Sequence, residues 1–377
     1  MRNSLHSHWQ LDKIMLRKAL LKYGLVTFAS SGLANVIEPL TGGRGAILML
    51  HRVRPKPSRA FQPNGHLEIT PRFLDSALRG LKNLDVDFIH LDEVPERLAV
   101  STGKRFVVVT LDDASLDNLT EALPVFKKHN CPFTIYASAG FADRTALPWW
   151  LVLEEVLAKR GIVDARPIGG DNAEVVGSLQ QKRRAFPKLA EQFRAVFEQE
   201  KQTRIHEFAD IHGLNVQKLM NDNFMNWQQL REIHKSELTN IGGHTVNHPM
   251  LARLRPEEIE AEIVNGAIRQ QEMLGYYPKH FAYPYGNEAA ADKLVFKVVQ
   301  SLGFETAVTT RGGVLQGKGR ESLVALPRLS LNGHFQDVRA LRALMSGAPF
   351  VAKVGARERL HTFIAAFLGR GAASTKQ

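Results

Sequence analysis

The chain has 377 residues, of which 44% are hydrophobic and 23% charged. That balance belongs to a soluble globular protein of one large domain or two, long enough to bury a core without covalent staples. A single cysteine, Cys131, excludes an intramolecular disulfide and a cysteine-based metal site. Within Asn130-Cys-Pro-Phe133 it reads as a small buried hydrophobe. The net charge of +11 is unevenly spread. Residues 1–60 carry ten Lys/Arg against two Asp/Glu, net +8, and residues 336–377 carry seven against two, net +5, which leaves 61–335 at −2. A near-neutral middle argues against a basic groove, so no nucleic-acid partner is expected. Basic ends suit an anionic membrane leaflet, with plain solvated tails as the competing reading.

Residues 1–45 read as a basic, apolar helical segment. Arg2, Lys13, Arg17, Lys18 and Lys22 precede an apolar stretch, Tyr23 to Ile37, that is short for a bilayer span. Gly32-Leu-Ala34 offers a small-residue cleavage site, which would make the segment an export signal with an unusually long charged region. Lys18 and Lys22 share a helical face with Leu11, Ile14 and Leu25, so the segment is poorly amphipathic. The preferred reading is a retained, membrane-associated helix. The protein would then be cytoplasmic or peripheral at the inner membrane, with export through a signal peptide as the alternative.

From residue 46 strand and helix patterns alternate. Ala46-Ile-Leu-Met-Leu50 is a short apolar run that ends at His51-Arg52. Thr70-Pro-Arg-Phe73 opens a helix, whose apolar positions Phe73, Leu74, Ala77, Leu78 and Leu81 recur at helical spacing. Val86–His90 reads as a strand, and Val107–Leu111 as a strand covered on both faces. Leu116–His129 is helical in pattern, and Phe133–Ala137 is another strand. Residues 147–235 then read as an inserted helical subdomain. In it, Trp149 and Trp150 suit a buried helix face better than a sugar-stacking platform. Alternation resumes with strands at Leu238–Ile241, His280–Tyr283, Thr306–Thr309 and Leu326–Leu329, with a long helix from Arg255 to near Gly275. Residues 336–377 read as a basic helical tail.

Gly242 to Pro249 reads Gly-Gly-His-Thr-Val-Asn-His-Pro. On one helical turn, the spacing of His244 and His248 would put both imidazoles on one face, about 6 Å apart at Cβ, where they can share a metal ion. Two ordinary surface or core histidines are the competing reading. Thr245 cannot act as the general base that follows the first histidine in His-Glu-x-x-His sites, so such a site must import its carboxylates. Asp112-Asp113, at the end of Arg105–Leu111, is the evident donor. Asp112, Asp113, His244, Tyr285 and His334 all fall just after predicted strands. In a βα barrel those strand ends meet at one face, where active sites form. No Gly-x-Gly-x-x-Gly or phosphate-binding loop motif is present.

Together these segments resemble the polysaccharide deacetylases with a NodB-homology domain, the family of chitooligosaccharide and peptidoglycan deacetylases. Thr110-Leu-Asp-Asp-Ala114 is similar to their Thr-Phe-Asp-Asp-Gly motif, and His244-Thr-Val-Asn-His-Pro249 to their His-Ser/Thr-x-x-His-Pro. Phe281-Ala-Tyr-Pro-Tyr-Gly286 resembles the third motif, Arg-x-Pro-Tyr, without its arginine. The resemblance spans residues 46–335. It implies a distorted (β/α)₇ barrel, one divalent metal ion (usually zinc) and removal of acetyl groups from amino sugars of an acetylated glycan.

Carried over by position, Asp113, His244 and His248 would hold the metal and Asp112 would be the base. His334 would be the late catalytic histidine that protonates the leaving amine. Pro284 and Tyr285 would lie at the substrate, with the Tyr285 N–H facing the oxyanion. Two departures stand out. Ala114 replaces the motif glycine, with a Cβ that would narrow the metal pocket. Ala282 stands where the family often has the arginine that orients the base, and Arg328 is the candidate replacement. An O-acetyl esterase or deformylase-like amidohydrolase on the same site, and a degenerate glycan-binding or scaffold protein, are the alternatives. Nothing in the sequence sets the oligomeric state.

Overall fold

The structure is a computed structural model that describes residues 20–100, 102–317, 319 and 322–351. Residues 1–19 of the N-terminal segment and 352–377 of the C-terminal tail lie outside the described residues. Eight parallel strands form the central sheet: β1 (Gly45–Leu50), β2 (Asp87–Phe88), β3 (Phe106–Leu111), β4 (Phe133–Ala137), β5 (Thr239–Gly243), β6 (His280–Ala282), β7 (Thr306–Gly312) and β8 (Leu326–Ser330). Seven of them close a ring, β1-β8-β7-β6-β5-β4-β3, sealed by the register Gly45↔Phe106 through Leu50↔Leu111. The fold is therefore the distorted (β/α)₇ barrel expected from the motifs. The strand expected over Val86–His90 shrinks to two residues and stays outside the ring. It pairs with the first residues of β3, Phe106 and Val107, while β4 pairs with the last, Val109 to Leu111. Asp85, in the left-handed region at φ 54°, and a tight turn at Leu91–Glu93 bound this short strand.

Strand residues with apolar side chains on both faces make the barrel. Every residue of β1, β3 and β4 is buried. Such continuous runs suit parallel strands that have helices outside and packed side chains inside.

Helices α1 (Leu20–Ser30) and α2 (Leu33–Thr41) meet at 92°, with Gly32 at φ 80° in the corner. No single described helix is long and apolar enough to cross a membrane. Helix α3 (Pro71–Lys82) starts as its sequence dictates. The Thr70 hydroxyl accepts the Phe73 N–H, proline occupies the first turn, and Phe73, Leu74, Ala77, Leu78 and Leu81 face the core.

Between β4 and β5 the chain leaves the barrel. It forms α4 (Trp149–Lys159), a small antiparallel hairpin (Ile162–Asp164 with Ala173–Val175), α5 (Leu179–Ala195), α6 (Glu198–Ile211) and α7 (Val216–Asn223). These elements share a separate apolar core that includes Leu153, Leu157, Leu189, Phe193, Ile205 and Phe208. The next helix, α8 (Trp227–His234), packs Trp227, Leu230 and Ile233 into the barrel core. Helix α9 (Pro256–Leu274) ends at Gly275 in the left-handed region, φ 89°. After β8, α10 (Val338–Met345) places Leu341 and Met345 in the barrel core, and α11 (Ala348–Val351) follows.

Candidate active site at the strand ends

The chain turns sharply at several of the predicted site residues and their neighbours. Of the eight described non-glycine residues with positive φ, five are here: Asp113 (70°), Ala114 (52°), Thr245 (64°), His248 (56°) and Tyr285 (60°). Each such residue costs free energy that the surrounding structure must offset, and such strain clusters at functional sites.

One consequence corrects the sequence reading of the histidine pair. His244 and His248 do not share a helical turn, because Thr245 and His248 adopt left-handed conformations that break any helix. The loop is tied down instead. The Thr245 hydroxyl accepts the His248 N–H. Glu262, reaching from α9, accepts the N–H groups of Val246 and Asn247 and the Asn247 amide. The imidazoles still converge, with ring centroids 4.9 Å apart.

They converge on Asp113. The His244 and His248 Nε2 atoms lie 3.5 and 3.3 Å from Asp113 Oδ1. All three side chains are buried, and one candidate ligand atom from each falls within 4.8 Å of the others. His244 Nδ1 lies 2.7 Å from the Ala282 carbonyl. A carbonyl only accepts, so Nδ1 carries the proton and a neutral ring leaves the Nε2 lone pair facing Asp113. Burial alone would raise the Asp113 carboxyl, whereas protons on the facing His244 and His248 nitrogens would hold it well below the usual range. Burial likewise lowers His248. Yet neither imidazole has hydrogen-bonding geometry to Oδ1, and this atom makes no hydrogen bond among the described residues. A buried carboxylate oxygen facing two imidazole nitrogens without bonding them fits a divalent ion between the three. Two nitrogens and one oxygen suit zinc as a donor set.

Asp112 lives in a different setting one residue earlier. Arg328, wholly buried in β8, grips it bidentately at 2.7 Å on each oxygen. The rest of the guanidinium is spent on the Thr309 carbonyl (2.8 Å) and the Thr110 hydroxyl (3.0 Å). Burial would raise Asp112, but the Arg328 charge outweighs it and keeps the carboxyl below the usual range. Arg328 thus occupies the place beside the acid that Ala282 leaves open. The other departure is also resolved. Ala114 packs its methyl into the barrel core and gives its carbonyl to the Met225 N–H at 2.9 Å. It is not among the residues that line the cleft, and it carries left-handed backbone strain.

The residues open onto a cleft of about 490 Å³ that brings together Asp112, Asp113, His244, His248, Tyr285 and His334. Pro284 and Arg328 lie behind that lining. Pro284 closes the turn through its carbonyl to the Gly286 N–H (2.7 Å). The Tyr285 hydroxyl accepts the Trp149 indole N–H at 2.8 Å, and burial raises its phenol. The Tyr285 backbone N–H has no acceptor among the described residues. At the lip, His334 stacks on His66 with centroids 5.9 Å apart and planes 13° from parallel.

The β1 side of the cleft adds residues that sequence reasoning passes over: His51, whose Nε2 is 3.9 Å from Asp112 Oδ2, with Asn64 and His66. The signal for His51 is its place directly after the apolar run of β1, the position Asp112 has after β3. The loop bearing it is held by Asp117 and Asn118, which follow Asp112 and Asp113 at the end of β3. Asn118 donates to the His51 carbonyl, and Asp117 binds Arg52 and the Val53 N–H.

The sequence profile of polysaccharide deacetylases matches residues 99–307, more than half of the chain. The chain belongs to the polysaccharide deacetylase family. It is a carbohydrate deacetylase, a hydrolase of carbon–nitrogen bonds. In fold it is similar to the Streptococcus pyogenes deacetylase PplD, solved in complex with acetate (18% identity, 80% of this chain and 97% of that one, TM-score 0.52). It is also similar to IcaB from Ammonifex degensii (19%, 81% and 98%, TM-score 0.50) and to BC0361, a polysaccharide deacetylase from Bacillus cereus (15%, 80% and 68%, TM-score 0.50). At these identities the likeness speaks for the fold. No curated protein matches the chain.

Proposed function

We propose that this deacetylase removes N-acetyl groups from amino sugars of a glycan with the help of one divalent ion, zinc by its donor set, held by Asp113, His244 and His248. The observation that carries the reading is the convergence of these three buried side chains on an Asp113 oxygen that makes no hydrogen bond. Bound there, the ion supplies Lewis-acid polarisation of the acetyl carbonyl and eases deprotonation of water. The remaining work belongs to the chain. Asp112 takes the proton of the attacking water as general base. Arg328 keeps that carboxylate ionised in a buried place and fixes its plane. The Tyr285 N–H donates to the acetyl oxygen as negative charge develops on it. An amide anion is too basic to leave, so the nitrogen must be protonated, and His334 at the cleft lip is the donor.

The test combines metal content with acetate release. Purified protein should hold about one zinc or similar ion per chain and free acetate from N-acetylglucosamine oligomers. Acetate from O-acetylated glycans alone would replace the amidase reading with an esterase. A chain that binds glycan and releases no acetate from either substrate would be a binding module.

A further inference from the structure

Helix α2 turns its one charged residue inward and most of its large apolar residues outward. A surface helix normally turns its apolar stripe inward and its charges to water. Here the inward face is mixed: Ala34 is buried and Ile37 half-buried, with polar groups beside them. Glu38, the only charged residue of α2, is turned in to pair with Arg105 and Arg342. Arg342 also binds the Asn35 side chain at 2.6 and 3.0 Å, and the Thr41 hydroxyl donates to the Ser346 carbonyl at 2.6 Å. The outward face carries Leu33, Val36 and Leu40 at helical spacing, with exposures of 51, 62 and 67%. On α1, Leu20, Leu21 and Tyr23 are likewise exposed, while Leu25 packs inward on Ala340 and Ala343. Of the fifteen large apolar residues exposed among the described residues, six fall within residues 20–40; Ile162 and Val175, paired across the small hairpin, form a lesser group. A cluster of this kind marks an interaction surface.

We propose that α2 is a membrane-docking helix that lays the Leu33–Val36–Leu40 stripe on an anionic lipid surface. Charge selects this occupant. The segment before α1, residues 1–19, has Arg2, Lys13, Arg17 and Lys18 against Asp12. The segment after α11, residues 352–377, has five Lys/Arg against Glu358 and starts where α11 packs on α2. An apolar stripe with clustered cations on the chain beside it binds bilayers by shallow burial plus attraction to anionic headgroups. A second copy of this chain would bring the same positive charge to the interface, which repels. Arg105, held by Glu38 and by the Gly42 carbonyl, directly precedes β3, so α2 sits where the strands begin. The cleft lies at the other end, a strand length or roughly 20 Å away. Docked through α2, the enzyme would keep its cleft clear of the headgroups and reach glycan that extends from the surface.

The experiment is cosedimentation of the full chain with vesicles of phosphatidylcholine alone or mixed with phosphatidylglycerol. Binding is expected only to the mixed vesicles and should fall as salt rises. The exposed triple variant Leu33→Gln, Val36→Gln, Leu40→Gln should melt like the wild type and bind at least about tenfold more weakly. A chain ended at Val351 should also lose affinity, by roughly fivefold for each cation that lay near the surface. Undiminished binding by the triple variant would overturn the proposal, leaving charge alone as the attraction. A wild type that ignores mixed vesicles but forms dimers that the triple variant dissolves would overturn it in favour of a second copy. Tighter vesicle binding after truncation would show that residues 352–377 cover the stripe, and would overturn it as well.

Discussion

The cleft has two unlike walls. The barrel wall is made of strand ends and short strained turns, and most of its polar groups are committed, Asp113 Oδ1, His248 Nδ1 and the Tyr285 N–H excepted. Asp112 is held by Arg328, His244 by the Ala282 carbonyl, and the His248 loop by Thr245 and Glu262. The opposite wall comes from the insertion and is mainly aromatic: Trp149, Trp150 and Phe186, with Arg194 over the Trp149 ring. That wall rests on its own apolar core, separate from the barrel's. The difference teaches where chemistry and selection reside. Groups that must meet reacting atoms within tenths of an ångström are fixed to the barrel, where many bonds determine each of them. The aromatic groups stand on a unit with its own apolar core, joined to the barrel wall by the Trp149 N–H on the Tyr285 hydroxyl and by Trp150 against His248.

If this division is right, substitutions in the barrel wall should abolish or slow the reaction, and those in the insertion should only loosen substrate. The largest effect is expected for His244→Ala, which removes a ligand and should lose metal and activity together. Elemental analysis finding the metal still at wild-type occupancy would remove His244 from the site. Asp112→Asn comes next. It should keep its metal and lose ~10²–10⁴-fold in kcat, the range of general-base catalysis. Asp112→Asn protein lacking metal would mean that the two neighbouring carboxylates have their roles reversed.

Arg328→Met tests the same wall through stability. Breaking a buried pair by removing one partner costs roughly 3–5 kcal/mol, and turnover should fall with it. The pH dependence follows from the direction of the Asp112 shift. In the wild type the carboxyl is depressed, so the stabilisation is complete above the ordinary carboxylate value of about 3.9 and fades only as pH falls below it. Without the guanidinium, burial dominates at Asp112 and raises it, opposed only by the His51 and His244 imidazoles. The variant should therefore lose most at neutral pH, and its deficit should shrink as acid protonates the stranded carboxyl. Denaturant titrations at neutral and mildly acidic pH measure this. A deficit that grew towards acid would contradict the assignment.

The same contrast explains which features are legible in the amino-acid sequence and which are hidden. The barrel strands are legible because a parallel strand buried on both faces is a plain apolar run, as Val107 to Leu111 is. Asp112, Asp113, His244 and Tyr285 are legible because a barrel brings the ends of distant strands to one place. The conformation of the histidine loop is not. A spacing of four fits a helix and a tight loop alike, and the choice falls to Thr245 and His248 in left-handed backbone and to Glu262, which reaches in from another helix. The aromatic wall is hidden for a related reason. Trp149 and Trp150 read as a buried helix face, and Trp149 does pack on Phe193, yet both line the cleft as well. The polarity of α2 is illegible because only the folded chain sets Arg105 and Arg342 beneath Glu38.

Glu262 and Phe186 give the finer test of the comparison, one from each side. Glu262 is not among the residues that line the cleft, but its carboxylate collects three N–H donors of the loop between the histidines. Glu262→Gln trades a charged acceptor for an amide that can satisfy only part of this set. Metal affinity should fall about 10–100-fold, the usual scale for groups that orient ligands. Turnover at saturating metal should stay near wild type, which a general loss of fold would not allow. Phe186, half-buried on α5, faces the cleft from the insertion and meets Phe61 edge-on at 6.4 Å. Its ring offers apolar area to a sugar face and nothing to the reacting amide. Phe186→Ala should therefore raise KM by roughly two- to tenfold, the value of one aromatic contact, with kcat and metal content unchanged. A fall in kcat at constant KM would mean that the insertion helps to position the scissile bond, and the separation of the two walls would have to be given up.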